Sequence, residues 1–150
     1  MKRVEPLEEF RQAGANPYSS DRIVLIEDSL PSLTYLSDYN NQFDFILSSG
    51  VWHQLAGEEQ FYSMKRVSEL LKPDDIFAFP LRRSPTERGT DVFETDGKIS
   101  IDQALKVGLK NSLIIDNQPS LMKIKQGVTW TRLVFQKVYV FNQMGQTSKA

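Results

Sequence analysis

The only histidine of the chain, His53, follows Trp52 at the end of a small polar run, Ser48-Ser49-Gly50-Val51. An imidazole titrates near neutrality and could take a proton from a reacting group. No carboxylate partner is identifiable, so the plainer reading is a helix-entry residue with its ring satisfied locally. Trp52 could stack on a ligand or pack beneath the loop. Ser48-Ser49-Gly50 lacks a nucleophile-elbow pattern and triad partners, which argues against hydrolase chemistry. Arg82, Arg83 and Arg88 could meet an anionic substrate, although such runs are more often solvated. Glu5 and Asp28 lie at the ends of apolar runs, where solvated carboxylates are ordinary. The absence of cysteine rules out disulfides and thiolate sites, and one histidine cannot build a multi-histidine metal site.

These residues must be positioned by the stretch from Gln42 to Arg82. Phe43 to Leu47 is a short apolar run and Ile76 to Phe79 another. Between them, Gly57 to Leu71 has helical spacing, with Phe61, Met64, Val67, Leu70 and Leu71 on one side and Lys65, Arg66, Glu69 and Lys72 on the other. Strand, helix, strand implies a parallel sheet with covering helices. Small polar residues leaving a strand's carboxyl end mark the ligand side of open α/β sheets. Pro80 lacks a ladder N–H, which predicts lost pairing near Phe79.

Upstream, Lys2 to Glu5 is a stub of strand and Pro6 to Ala13 a short helix with Leu7 and Phe10 on one face. Arg22 to Ile26, with four consecutive aliphatics, reads as a strand buried on both faces. Leu30 to Leu36 reads as a short helical segment. Downstream, Arg82 to Gly97 is a charged loop. Ser100-Ile101-Asp102-Gln103 has capping-box form and predicts a helix through Val107. Leu113 to Ile115 is a short strand, and Thr129 to Phe141 the longest one, antiparallel at the end of the sheet. Residues 1–142 form one domain and 143–150 a polar, frayed tail.

With 150 residues, 40% of them hydrophobic and 25% charged, the chain is long and apolar enough for one globular domain. A net charge of -1 gives no bulk attraction to nucleic acid or acidic membranes. No apolar run approaches a membrane span, and MKRVEPLEEF is not of signal-peptide form, so a cytoplasmic protein is expected.

Phe43-Asp44-Phe45-Ile46-Leu47-Ser48-Ser49-Gly50-Val51-Trp52-His53, followed by a helix, Leu70-Leu71-Lys72-Pro73 and a strand, resembles the middle of a class I S-adenosylmethionine-dependent methyltransferase of small bacterial type. Val4-Glu5-Pro6 is similar to the acidic end of that family's second strand. Arg22 to Leu30, with Glu27-Asp28, is similar to its third strand and acidic turn, and Val128 to Phe135 to its last strand. The resemblance spans roughly residues 2 to 138. It implies that Glu5 accepts hydrogen bonds from the cofactor's ribose and Asp28 from its adenine amino group, with Ser29 and Leu30 beside the ring. Ser48, Ser49 and Val51 would lie under the methionine part. Trp52 and His53 would face the cofactor or substrate, with Arg82 a further candidate for substrate contact. The family has a strand and a glycine-rich loop ahead of its second strand; here Met1 stands three residues before Val4, and Asp74-Asp75 replaces a Gly-Gly.

The resemblance implies an α/β three-layer sandwich: a truncated Rossmann-like fold, mostly parallel, with an antiparallel C-terminal strand. The implied function is methyl transfer to a small molecule, impaired in S-adenosylmethionine binding without the glycine-rich loop. The alternative is a non-catalytic, partner-binding remnant. With one sheet face short of cover, a homodimer is expected. Neither nucleic acid, membrane nor metal is expected as a partner.

Overall fold

The computed structural model describes residues 1–15, 22–83, 93, 95–121, 127–141 and 147–149. Val4 and the aliphatics around Leu25 favour extended backbone, and β1 (Lys2–Val4) pairs in parallel with β2 (Val24–Ile26). Between them lies α1 (Glu8–Ala15), opened by Glu8 and Glu9 and burying none of its residues. β2 is not covered on both faces: Val24 is half exposed. Leu33 takes a left-handed conformation, and the segment after it is a 3-10 helix at Thr34–Tyr39 rather than a helix from Leu30.

The second sheet contains β3 (Phe43–Leu47), β4 (Leu71–Arg83), β5 (Leu109–Pro119) and β6 (Thr129–Lys137), in the order β3-β4-β6-β5. β3 is parallel to β4, and β6 is antiparallel to both β4 and β5. Three strands therefore share one direction and β6 alone is reversed, the mostly parallel α/β arrangement with an antiparallel late strand. β4, not the terminal segment, is the longest strand. β6 stops at Lys137, and β7 (Tyr139–Phe141) pairs separately with β8 (Thr147–Lys149) in the polar tail. β1 does not pair with β3, and the two sheets share no backbone ladder.

Pro80 does not interrupt β4. The ladder to β6 runs through it, Pro80 opposite Arg132 and Arg83 opposite Thr129. The reason lies in strand alternation. Ser48 N donates to Ala78 O (3.1 Å), so Ala78 addresses β3, and so does every second residue after it. The N–H that Pro80 lacks would have addressed Ser48 O, so its absence ends the β3 ladder at Leu47 and leaves the β6 ladder intact. The Asp74-Asp75 turn is absorbed into β4, where residues 71 to 76 lie opposite only 43 to 45; Asp74 takes φ 70 there.

One face of this sheet is packed. Phe77, Phe79 and Leu81 of β4 and Leu133 and Phe135 of β6 meet Trp52, Leu55, Met64, Val67 and Ala104 in one buried cluster. The helical side comes from α2 (Gly57–Leu70) and α3 (Gly97–Lys106). α2 begins with Glu59 accepting from Ala56 N (2.8 Å). α3 starts three residues before the Ser100 signal. Asp96 is its cap, accepting from Lys98 N (2.6 Å) and Ile99 N (3.2 Å), and Ser100 lies buried within the helix. The expected loop from Arg82 to Gly97 falls largely outside the described residues.

α2 has no basic residue in its last turn. Lys137, fully buried at the end of β6, supplies the missing cation. Its Nζ donates to Ser68 O (2.6 Å), Leu71 O (2.7 Å) and Asn41 Oδ1 (2.9 Å). The ammonium thus satisfies carbonyls that the helix end leaves open and ties α2, β4 and β6 together. Lys137→Met keeps the length and removes three charge-assisted bonds. It is expected to cost about 2–4 kcal/mol in urea unfolding, while Lys110→Met, at an exposed position of β5, changes stability by less than about 0.5 kcal/mol.

The Asp96 carboxyl is held below its ordinary pKa by hydrogen bonds from the Ile99 and Lys98 amides. A depressed folded-state pKa stabilises above the unfolded value, and that contribution is lost as pH falls through the folded one. α3 should therefore fray at acid pH below the ordinary aspartate range. Exchange of the Lys98 and Ile99 amides should rise there in the wild type, while Asp96→Asn should show no such step.

Candidate functional site

The carboxyl ends of β1 and β2 are fastened by Arg11 of α1. Its Nη1 donates to Glu5 O (2.8 Å) and Pro6 O (2.7 Å), and its Nη2 is 3.1 Å from Glu27 Oε2. Glu5 continues the ladder, N to Ile26 O at 3.0 Å, and turns Oε1 onto Leu7 N at 3.1 Å. Its Oε2 accepts from no described residue.

Asp28 organises the chain that follows. Oδ1 accepts from Ser29 N (2.9 Å) and Thr34 N (3.2 Å), and Oδ2 from Tyr35 N (2.7 Å). A carboxylate meeting the free amides at the start of the 3-10 helix fixes the Ser29–Tyr35 loop as the rim of a cleft. The cleft holds about 400 Å³ and is lined by Pro6, Glu27, Asp28, Ser29, Thr34 and Tyr35. Leu30 lies outside it and packs against both hydrophobic clusters.

The second group of candidates leaves β3. Ser48 Oγ is buried with no hydrogen-bond partner among the described residues. Gly50 has φ 71, a conformation that side chains resist. Ser49 and Val51 are exposed. Trp52 is 1% exposed and stacks on Phe79 with centroids 4.4 Å apart. Its indole is taken up by the core, which corrects the expectation that it faces a ligand: burying so large a ring against Phe77 and Phe79 outweighs leaving it in the loop. His53 is buried, edge-on to Trp130 at 6.3 Å, and its carbonyl accepts from Phe93 N (2.8 Å). Arg82 ends β4 opposite Trp130, with its carbonyl accepting from Thr95 Oγ1 (3.1 Å). Arg88 lies outside the described residues.

The structure therefore brings Glu27, Asp28 and Ser29 to one cleft with Glu5 adjoining. It places Ser48 to Val51 just after β3, a strand that does not pair with β1. Sequence reasoning missed Arg11, Thr34 and Tyr35. An Asp six and seven residues ahead of Thr34 and Tyr35 was a usable signal, since aspartate favours capping of local amides. Among the described residues no group of three His, Asp or Glu could hold a metal ion, and no helix is long and apolar enough to cross a membrane.

No family model and no curated protein matches the chain. Solved structures do. Over 91% of this chain, the Burkholderia thailandensis 1,6-didemethyltoxoflavin-N1-methyltransferase, bound to 1,6-didemethyltoxoflavin and S-adenosylhomocysteine, superposes with a TM-score of 0.71 at 15% identity. A Methanosarcina mazei S-adenosylmethionine-dependent methyltransferase gives 0.71 at 11% identity, also over 91% of this chain. The [4+2]-cyclase SpnF gives 0.67 at 11% identity over the same share. The chain spans 60% of the first of these proteins, 81% of the second and 65% of the third. The chain shares the Rossmann-like α/β fold of these methyltransferase structures.

The cap on the Ser29–Tyr35 loop is testable apart from function. Asp28→Ala is expected to destabilise the protein by about 1–2 kcal/mol in urea unfolding, and Asp28→Asn, which keeps one acceptor, by about half of that.

Proposed function

We propose that this chain carries the nucleoside-binding side of an S-adenosylmethionine-dependent methyltransferase acting on a small molecule, and that by itself it binds S-adenosylmethionine weakly. The observation that carries this is the cleft at the carboxyl ends of β1 and β2, on a methyltransferase fold. Its residues fit half of the cofactor. Glu5 Oε2 is open to accept from ribose hydroxyls. Asp28, although it caps local amides, retains acceptor capacity on both oxygens for an adenine amino group. Ser29 and Tyr35 would border the base. For the methionine half, the described residues offer only Ser48, Ser49 and Val51, across the strand position between β1 and β3, which share no ladder. When bound, S-adenosylmethionine supplies a methyl group already activated by its sulfonium. The protein need add only alignment and exclusion of water. His53, buried beside Trp130, is a candidate to receive a proton from the acceptor.

A second reading is favoured by the absence of a ladder between β1 and β3 among the described residues: a non-catalytic, partner-binding module on the same fold. Titration of the labelled protein with S-adenosylmethionine decides the first point. Amide shifts at Glu5 and Glu27 to Ser29 are expected, with a Kd of about 0.1–1 mM, and Glu5→Gln should weaken binding about tenfold or more. Silence of these amides at about 5 mM ligand would remove the methyltransferase reading and leave the second. A Kd at or below about 1 μM would show that the strand position does not limit binding.

A further inference from the structure

β1 and β3 each have one edge with no partner among the described residues. In β1, Val24 N donates to Met1 O (2.9 Å) and Glu5 N to Ile26 O (3.0 Å). Odd residues of β1 therefore address β2, and alternation turns the N–H and C=O of Lys2 and Val4 the other way. In β3, Gln42 N donates to Leu70 O (3.0 Å) and Ser48 N to Ala78 O (3.1 Å). The backbone groups of Phe43, Phe45 and Leu47 accordingly point away from β4, and none of them bonds to a described residue.

The two edges belong to one place. Val4 and Ile26 of the first sheet and Phe43 and Ile46 of the second pack on the same buried residues, Leu33, Leu36 and Leu70. Lys2 Nζ sits 4.1 Å from the Tyr39 ring centroid, and Tyr39 lies 6.1 Å from the Phe43 ring. Side chains thus span an interval that backbone does not. The adjoining face of the second sheet is also bare. Register puts Phe45 and Leu47 on the face of Ile76 and Ala78, opposite the packed face of Phe77 and Phe79. Phe45 is 56% and Leu47 60% exposed.

We propose that the interval between β1 and β3 is a docking site for an extended apolar segment of another polypeptide, which enters as a strand bonded on both edges. The length of β3 sets the segment at about five residues. Its side chains would be apolar on both sides, one row over Leu33 and Leu36 and the other beside Phe45 and Leu47. A proline at its centre would forfeit a ladder bond. A second copy of this chain is a poor occupant. Every described strand is already paired on at least one edge, whereas this position requires a strand free on both. The inference follows from backbone pairing and does not rest on the methyltransferase reading.

The probe is a nine-residue peptide of five alternating valines and isoleucines between lysine pairs, with a control carrying proline at the central position. Hydrogen exchange of the full chain is read by NMR. The first peptide is expected to slow exchange at Lys2, Val4, Phe43, Phe45 and Leu47 by about tenfold or more at saturation, and the proline peptide to leave it unchanged. Three results would overturn the proposal: no slowing with the first peptide, equal slowing with both, or amides already protected in the free protein. Sedimentation assigns the last case, a dimer pointing to a second copy and a monomer to a closed interval.

Discussion

Two sheets that share no backbone ladder are held as one molecule by three leucines. Leu33 and Leu36 arrive from the loop after β2, and Leu70 from the last turn of α2. Backbone pairing is directional and distributes stability along a whole edge; side-chain packing at a few residues concentrates it. The position of the cleft at Asp28 relative to β3 therefore depends on how firmly the end of α2 is held. That end is held from within, by Lys137 on the carbonyls of Ser68 and Leu71. The same ammonium reaches Asn41, two residues before β3 begins. A buried cation is costly to install, and a helix C-terminus is where its partial charges best repay that cost.

The outer parts are fixed differently, by exposed contacts. Lys72 pairs with Asp44 across β3 and β4, and this pair holds the Asp44 carboxyl low and the Lys72 ammonium high. Both groups are open to solvent, so the pair steers register more than it stabilises. Arg11 does the corresponding work at the ends of β1 and β2. Its guanidinium meets two carbonyls and the Glu27 carboxylate, geometry that suits a planar fork and would not suit lysine. α1 buries nothing of its own, so its role in the described structure is to present this arginine.

The central strand, helix and strand were legible because each carries its own period. Phe43 to Leu47 is a run of strand formers, and Met64, Val67 and Leu70 recur at helical spacing. The errors came where tertiary context decides. Pro80 reads as a strand breaker until the end of β3 is known. Ser100 reads as a cap, but Asp96 sits where the helix can use a carboxylate. Four aliphatics in a row at 23–26 speak for a doubly covered strand, yet coverage is a property of neighbours, and Val24 has none on its outer face. Of the site, the acidic strand ends could be found from their positions, whereas the Arg11 fastening could not, because its partners lie in separate strands. Trp52 shows the converse: a loop aromatic can be read as ligand-facing or as core, and only the stacked Phe77 and Phe79 distinguish them.

A fold that houses N-methyltransferases and a [4+2]-cyclase fixes no reaction by itself. What can differ among such proteins is the chemistry of the groups around the ligand, and here those groups are few. Glu5, Glu27, Asp28 and Ser29 suit hydroxyl and amino donors. The other side of the site presents Ser48 Oγ, buried without a described partner, next to a left-handed Gly50 and an exposed Val51. A buried hydroxyl in that condition costs free energy unless something meets it. The unpaired edge of β3 imposes the same demand on the backbone one residue earlier, at Leu47. Both demands fall at the carboxyl end of β3, so a segment entering beside that strand and a ligand lying across its end would satisfy adjoining groups. Strand entry and ligand binding would then be coupled: each would order backbone that the other needs, and each would tighten the other by the same factor.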